Sequence, residues 1–203
     1  MKKLLIFAAV IAISTASFAQ GNINRGDWML GGDVGYESRS ADYGASSSTG
    51  KEIRFNLSPN IGYFFIDNLA GGIRLNRESI NYKSQNSSNK FIYTFVGPFL
   101  RYYFLPSSQK LNIFLDGAYT LGGIKFIPSS GGTQKFKLKA YNFNAGAAYF
   151  INPAFAVELS LGYISRKDTD ADINVYSDTQ ENLFFSVGFQ IHLPGNRTKA
   201  AGK

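Results

Sequence analysis

From Trp28 onward, apolar and polar residues exchange places with a period of two, and polar breaks divide the chain into eight such runs. The clearest is near the end. Leu183, Phe185, Val187, Phe189, Ile191 and Leu193 share one face, Asn182, Ser186, Gly188, Gln190 and His192 share the other, and Phe184 is the exception. In the run from Leu111, the apolar series Leu111, Ile113, Leu115, Tyr119 and Leu121 alternates with Asn112, Phe114, Asp116 and Thr120. The other runs are about 28–37, 51–65, 69–82, 91–104, 136–150 and 155–164. A period of two marks strands with one apolar and one polar face. A soluble sandwich would turn the apolar face inward, whereas a membrane barrel turns it to lipid and fills its lumen with the polar face.

The breaks separate these two readings. Three are short: Ile66-Asp67-Asn68, Leu105-Pro106-Ser107-Ser108-Gln109 and Ile151-Asn152-Pro153-Ala154. Four are longer or more polar, at about 38–50, 83–90, 127–134 and 165–181. Short and long breaks alternate strictly, as they do in a barrel with short periplasmic turns and long extracellular loops. Tyr63-Phe64-Phe65, Tyr103-Phe104-Leu105 and Tyr149-Phe150-Ile151 each lead into a short turn, which places aromatic rings at one interface. The predicted fold is all-β: an eight-stranded antiparallel up-and-down transmembrane barrel over residues 20–193.

The first nineteen residues read as a signal peptide. Lys2 and Lys3 precede ten apolar residues, Leu4 to Ile13, and Ser17-Phe18-Ala19 offers a cleavage site. Ten apolar residues are too few to span a bilayer. Without Lys2 and Lys3, the net charge falls from +7 to +5 and the remaining charges are dispersed, so nucleic acid is not an expected partner. The chain has no cysteine, which excludes a disulfide framework and a thiolate metal site. Residues 194–203 form a short basic tail, expected to be disordered.

The stretches that enter the short turns resemble the outer-membrane β-barrel domain family, the small barrels of the OmpA/OmpX type in Gram-negative bacteria. Pro59-Asn60-Ile61-Gly62-Tyr63-Phe64, Gly97-Pro98-Phe99-Leu100-Arg101-Tyr102-Tyr103-Phe104 and Tyr149-Phe150-Ile151-Asn152-Pro153 carry the resemblance. It implies an outer-membrane location, contact with outer-membrane lipid and insertion by the barrel-assembly machinery. Ser186, Gly188, Ile191 and Leu193 resemble that machinery's recognition signal. The chain departs from the pattern by ending the strand in Leu193 rather than an aromatic, and by the tail that follows. No peptidoglycan-binding domain follows the barrel, so a wall-tethering role is not expected.

Charged residues on the polar faces are candidates for the lumen: Asp33, Glu52, Arg54, Arg74, Asp116 and Glu158. Arg101 joins them, with Phe95 and Phe99, when Ile92, Val96 and Leu100 face lipid; an arginine facing mid-bilayer lipid would cost about 2–4 kcal/mol. These charges form either a polar core that closes the barrel or a narrow path for ions.

Catalysis has little to build on. His192 is the only histidine and falls at the periplasmic end of the last run, so no enzyme activity and no cofactor are expected. Asp168, Asp170 and Asp172 have the spacing that begins a calcium loop, but Ile173 stands at the turn glycine and Thr179 at the bidentate acid, so no metal is expected. Arg25-Gly26-Asp27 falls at the periplasmic start of the first run, where no external receptor reaches. The expected function is structural or surface-binding, with loops 38–50 and 165–181 contacting an extracellular partner. A narrow channel for ions or small solutes is the alternative, and a lipid-acting enzyme a further one.

Overall fold

A computed structural model describes residues 23–43, 48–83, 88–168 and 180–195. It shows eight antiparallel strands: β1 (Trp28–Tyr43), β2 (Ser48–Ile66), β3 (Leu69–Lys83), β4 (Ser88–Tyr103), β5 (Leu111–Ile127), β6 (Gln134–Asn152), β7 (Phe155–Asp168) and β8 (Gln180–Leu193). Each pairs with its neighbour in sequence, and β1 pairs with β8 to close the barrel. The apolar series points outward: Leu115, Leu121, Leu159 and Leu161 are all at least half exposed. The alternate residues fill the lumen. Closure leaves no free edge where the ladder is complete, the condition for β-structure in hydrocarbon.

The strands are longer than the alternation suggests. The described parts of the segments 38–50, 83–90 and 165–181, expected as loops, are strand: β1 runs to Tyr43, β2 starts at Ser48, β3 ends at Lys83, β4 starts at Ser88, β7 ends at Asp168 and β8 starts at Gln180. Above the lipid, both faces of a strand meet water, so alternation fades while backbone pairing continues. The signal segment 1–19, the stretch 169–179 with Asp170 and Asp172, and the tail from Asn196 lie outside the described residues.

The periplasmic rim is tied together by short-range chemistry. Asp67 and Asn68 make the first turn, with Asn68 at φ 66°, a left-handed conformation that asparagine tolerates. Asn112 clamps the second turn, accepting from Leu105 N at 2.9 Å and donating to Leu105 O at 2.7 Å. Asn152 Oδ1 accepts from Ala154 N at 2.8 Å across the third. Neighbouring hairpins are then joined through Tyr103 N to Asn68 O, Phe150 N to Lys110 O and His192 N to Ala154 O, at 2.7–2.9 Å.

The closing seam differs from the other ladders. β1 and β8 pair from Trp28↔Leu193 to Val34↔Val187 and no further, although both strands continue toward the outer end. Over that stretch β1 stays paired with β2, and β8 with β7. The barrel is therefore shut along the lower seam and split along the upper one.

Candidate functional site

The lumen is stacked in layers. At its base is an apolar cork of buried side chains that includes Met29, Phe64, Tyr103, Phe114 and Phe150, with Ile23 folded in from below β1. His192 is wholly buried there, its ring centroid 5.2 Å from Phe150, 5.9 Å from Phe64 and 6.0 Å from Tyr103. It does not line the open volume above. The Arg25-Gly26-Asp27 turn belongs to this base. Buried Asp27 accepts from Asn24 N and Gly195 N, both at 3.1 Å, so its carboxylate ties the segment before β1 to the end of β8.

Above the cork is a network of buried charges. Arg74 grips Asp116 with Nη1 and Nη2, at 3.0 and 2.7 Å. Arg101 reaches the same carboxylate at 2.7 Å through Nη2, and Glu158 on the other side at 2.7 and 2.9 Å through Nη1. Asn144 donates to Asp116 at 2.6 Å, and Tyr103 Oη lies 3.3 Å from Glu158. All four charged residues are at most 5% exposed. They come from β3, β4, β5 and β7, so the network crosses the lumen. Arg101 also lies 4.2 Å over the Phe114 ring, which joins the ionic layer to the cork. Two arginines and two carboxylates, bidentate in part, leave no charge unpaired in this layer.

The outer half contains a second set. Arg54 pairs with Glu52 at 2.9 Å and Glu78 at 3.1 Å. Arg166 pairs with the other oxygen of Glu78 and lies 4.7 Å over Tyr93. Above and beside them is a smaller apolar cluster of Ile80, Tyr93, Phe95, Ala140 and Ile164, against which Phe184 packs. This explains the one break in the alternation of β8. Phe184 turns inward over Gly162, where a Cβ would lie 2.2 Å from its ring, so only glycine leaves the room. Between the two ionic layers is a cavity of 410 Å³.

Asp33, the remaining lumen candidate, is half-buried and lines this cavity beside Arg74. Glu52 and Arg54 are in the outer set, and Arg74, Arg101, Asp116 and Glu158 form the cross-lumen network. Sequence reasoning missed Glu78 and Arg166. Both continue a period of two, Glu78 after Arg74 and Asn76, and Arg166 after Glu158, Ser160, Gly162 and Ile164. On β3 the alternation is clear only to Asn76, and Arg166 falls within the segment 165–181 expected as a loop. On β8, Ser186 and Gly188 face inward and buried, Ile191 is half-buried, and Leu193 is exposed on the lipid side. Among the described residues, no group of acids and histidines could hold a metal ion.

The outer face carries its own pattern. Tyr119 and Tyr141 meet at 5.1 Å between ring centroids, and Tyr163 follows on β7. Lys139 stands opposite Lys167 just above them, and Lys125 opposite Lys135 further out along β5 and β6.

A solved structure agrees with this architecture. Neisserial surface protein A is 15% identical, with a TM-score of 0.50, over 82% of this chain and 96% of that one. The N-terminal β-barrel domain of Pseudomonas aeruginosa OprF is 14% identical, with a TM-score of 0.49, over 83% and 98%. The outer membrane protein OprG of Pseudomonas aeruginosa is 14% identical, with a TM-score of 0.48, over 87% and 99%. No curated protein matches the sequence. Residues 5–190 match the family described as outer membrane protein beta-barrel domain. With nearly the whole chain matched, this protein belongs to that family and is a barrel of the outer membrane.

Proposed function

We propose that this protein is a non-conducting, non-enzymatic outer-membrane barrel that acts through its outer surface. One observation carries the reading. Arg101 bridges Asp116 and Glu158 across the lumen directly above an aromatic cork. An eight-stranded barrel has an interior just wide enough for side chains to fill, and here they fill the periplasmic half. An ion crossing it would have to part paired charges in a low-dielectric interior, which costs several kcal/mol per charge. Catalysis has no support from His192, which is sunk in the cork away from the cavity.

The outer surface supports a binding role. Lys139 and Lys167 project from adjacent strands just above the tyrosines, and Lys125 and Lys135 further out. Like charges directly opposite each other on a sheet are destabilising. An apposed layer of anionic lipid headgroups relieves that repulsion and fixes the barrel's depth. The strand ends near 38–50 and 165–181 then stand clear of the lipid, where they contact an extracellular partner. In this reading, the insertion machinery recognises Ser186, Gly188, Ile191 and Leu193 on the strand that closes the barrel.

Single-channel recording in a planar bilayer tests the proposal. The refolded protein must first show the heat-dependent gel shift of a folded barrel. The expected result is a silent membrane. Defined, reproducible conductance steps would overturn the reading and make the lumen charges a filter.

A further inference from the structure

We propose that the outer half of the lumen binds a single-chain amphiphile with a neutral, hydrogen-bonding head group, admitted from the outer leaflet through the split between β1 and β8. The split itself is the first observation. Continuing the register of Val34↔Val187 would set Tyr36 opposite Phe185 and Ser38 opposite Leu183, but no rung joins them. Both strands remain regular there because each is paired on its other side. Open strand edges facing hydrocarbon leave backbone groups unsatisfied, so a split at this depth has to be wet or occupied.

The side chains at the split are the second observation. Leu183, Tyr36 and Phe185 are 73%, 69% and 65% exposed, the highest values among the large exposed hydrophobics. They are not confined to the outside. All three also line the 410 Å³ cavity, together with lumen residues such as Asn142 and Arg166. Lumen and lipid-facing surface therefore share one continuous hollow, within the size range of small-molecule sites.

The chemistry inside selects the head group. Asn56 Oδ1, Asn76 Nδ2 and Asn142 Nδ2 line the hollow, each buried and without a hydrogen-bond partner among the described residues. Asn142 is only 4% exposed. Asn56 leans over Gly35, the first β1 residue beyond the last rung, with its Oδ1 2.1 Å from where a Cβ would lie. The mouth thus presents an acceptor and the interior presents donors. The arginines on the lumen side are already engaged: Arg74 by Asp116, and Arg54 and Arg166 by Glu78. The charges of these arginines are thus compensated, the Nε donors of Arg74 and Arg166, unpartnered among the described residues, suit a neutral acceptor, and an anionic head would meet Asp33, so a hydroxyl or amide head fits better. Phe184, Phe95 and Ile164 supply apolar contact for the first methylenes, and the rest of the chain leaves between Tyr36 and Phe185.

The test uses monooleoylglycerol as the probe and oleate as its anionic counterpart. The chain has no cysteine, so Ser38→Cys with Leu183→Cys introduces a single disulfide across the split. Native mass spectrometry of the full-length folded barrel, released from detergent, counts bound amphiphile. One saturable monooleoylglycerol adduct is expected, with oleate bound at least tenfold more weakly. Oxidising the double-cysteine protein should abolish the adduct, and reduction should restore it. Asn142→Leu, which breaks no side-chain hydrogen bond among the described residues, should weaken the adduct about tenfold while preserving the gel shift. A folded wild-type barrel with no saturable adduct, or with oleate preferred, would overturn the proposal. So would Asn142→Leu binding as well as wild type. This assay reads the outer half and conductance reads the base: a silent barrel without an adduct defeats only this proposal, and a conducting barrel with an adduct defeats only the previous one.

Discussion

The two halves of the lumen share one wall and one alternation, yet they end in opposite states. In the periplasmic half the inward positions carry Phe64, Tyr103, Phe114, Phe150 and His192, the seam is fully paired, and the buried ions satisfy one another. In the outer half they carry Asn56, Asn76, Asn142 and Asn182, the seam is split, and a cavity remains. The wall does not determine whether a small barrel is a plug or a pocket. The volume of its inward side chains does: carboxamides set among Tyr93, Phe95 and Phe184 leave the room that the close-packed base does not.

The sharpest way to break this contrast is to remove one charge from each half. Asp116→Ala leaves Arg74 and Arg101 buried without their shared carboxylate, and should cost about 3–5 kcal/mol in detergent-micelle unfolding. Glu52→Ala opens a pair whose side chains are 19% and 26% exposed, and should cost less than about 1 kcal/mol. Equal losses would mean that the two ionic layers are equivalent.

Packing gives a smaller difference. Phe114→Ala, in the cork under Arg101, should cost about 3–5 kcal/mol. Phe184→Ala, at the edge of the outer cluster, should cost about 1–3 kcal/mol. Thermal unfolding of the two proteins side by side checks the order.

The lysine surface should be felt only through the lipid. Replacing Lys125 and Lys135 together by glutamine should remove about 2 kcal/mol of the stabilisation that anionic bilayers give over zwitterionic ones. Stability in zwitterionic bilayers should barely change, and a loss of equal size there would assign these lysines to the fold. The smallest effect is expected at Asn76→Leu, within about 0.5 kcal/mol of wild type, because its Nδ2 has no partner to lose among the described residues. Asn144→Leu, which removes a 2.6 Å donor from Asp116, is the control that should hurt.

The barrel wall was legible in the sequence because lipid on one side and a polar lumen on the other impose a strict period of two. The inward direction of Arg101 followed from the cost of placing it in lipid. Its partners did not, because the meeting of Arg101, Asp116 and Glu158 depends on the stagger of β4, β5 and β7, and no single strand encodes that. Glu78 and Arg166 were hidden where water on both faces blurs the alternation. The split seam left no mark, since Val34-Gly35-Tyr36 and Phe185-Ser186-Val187 alternate as regularly as any paired stretch.

The carboxylate of Asp27 carries a consequence for timing. Its bond to Gly195 joins residues 168 positions apart, and it cannot exist in any intermediate that lacks the last strand. The segment that brings Ile23 into the base is held by that same residue. A partly assembled barrel can already hold the Ile23 segment against the first turn, through Asn68 N to Ile23 O at 2.8 Å, but it acquires the latch only on the arrival of β8. The long separation makes this contact among the most entropically expensive to close. Closing of this latch is thus a report that β8 has been made and has taken its place in the barrel.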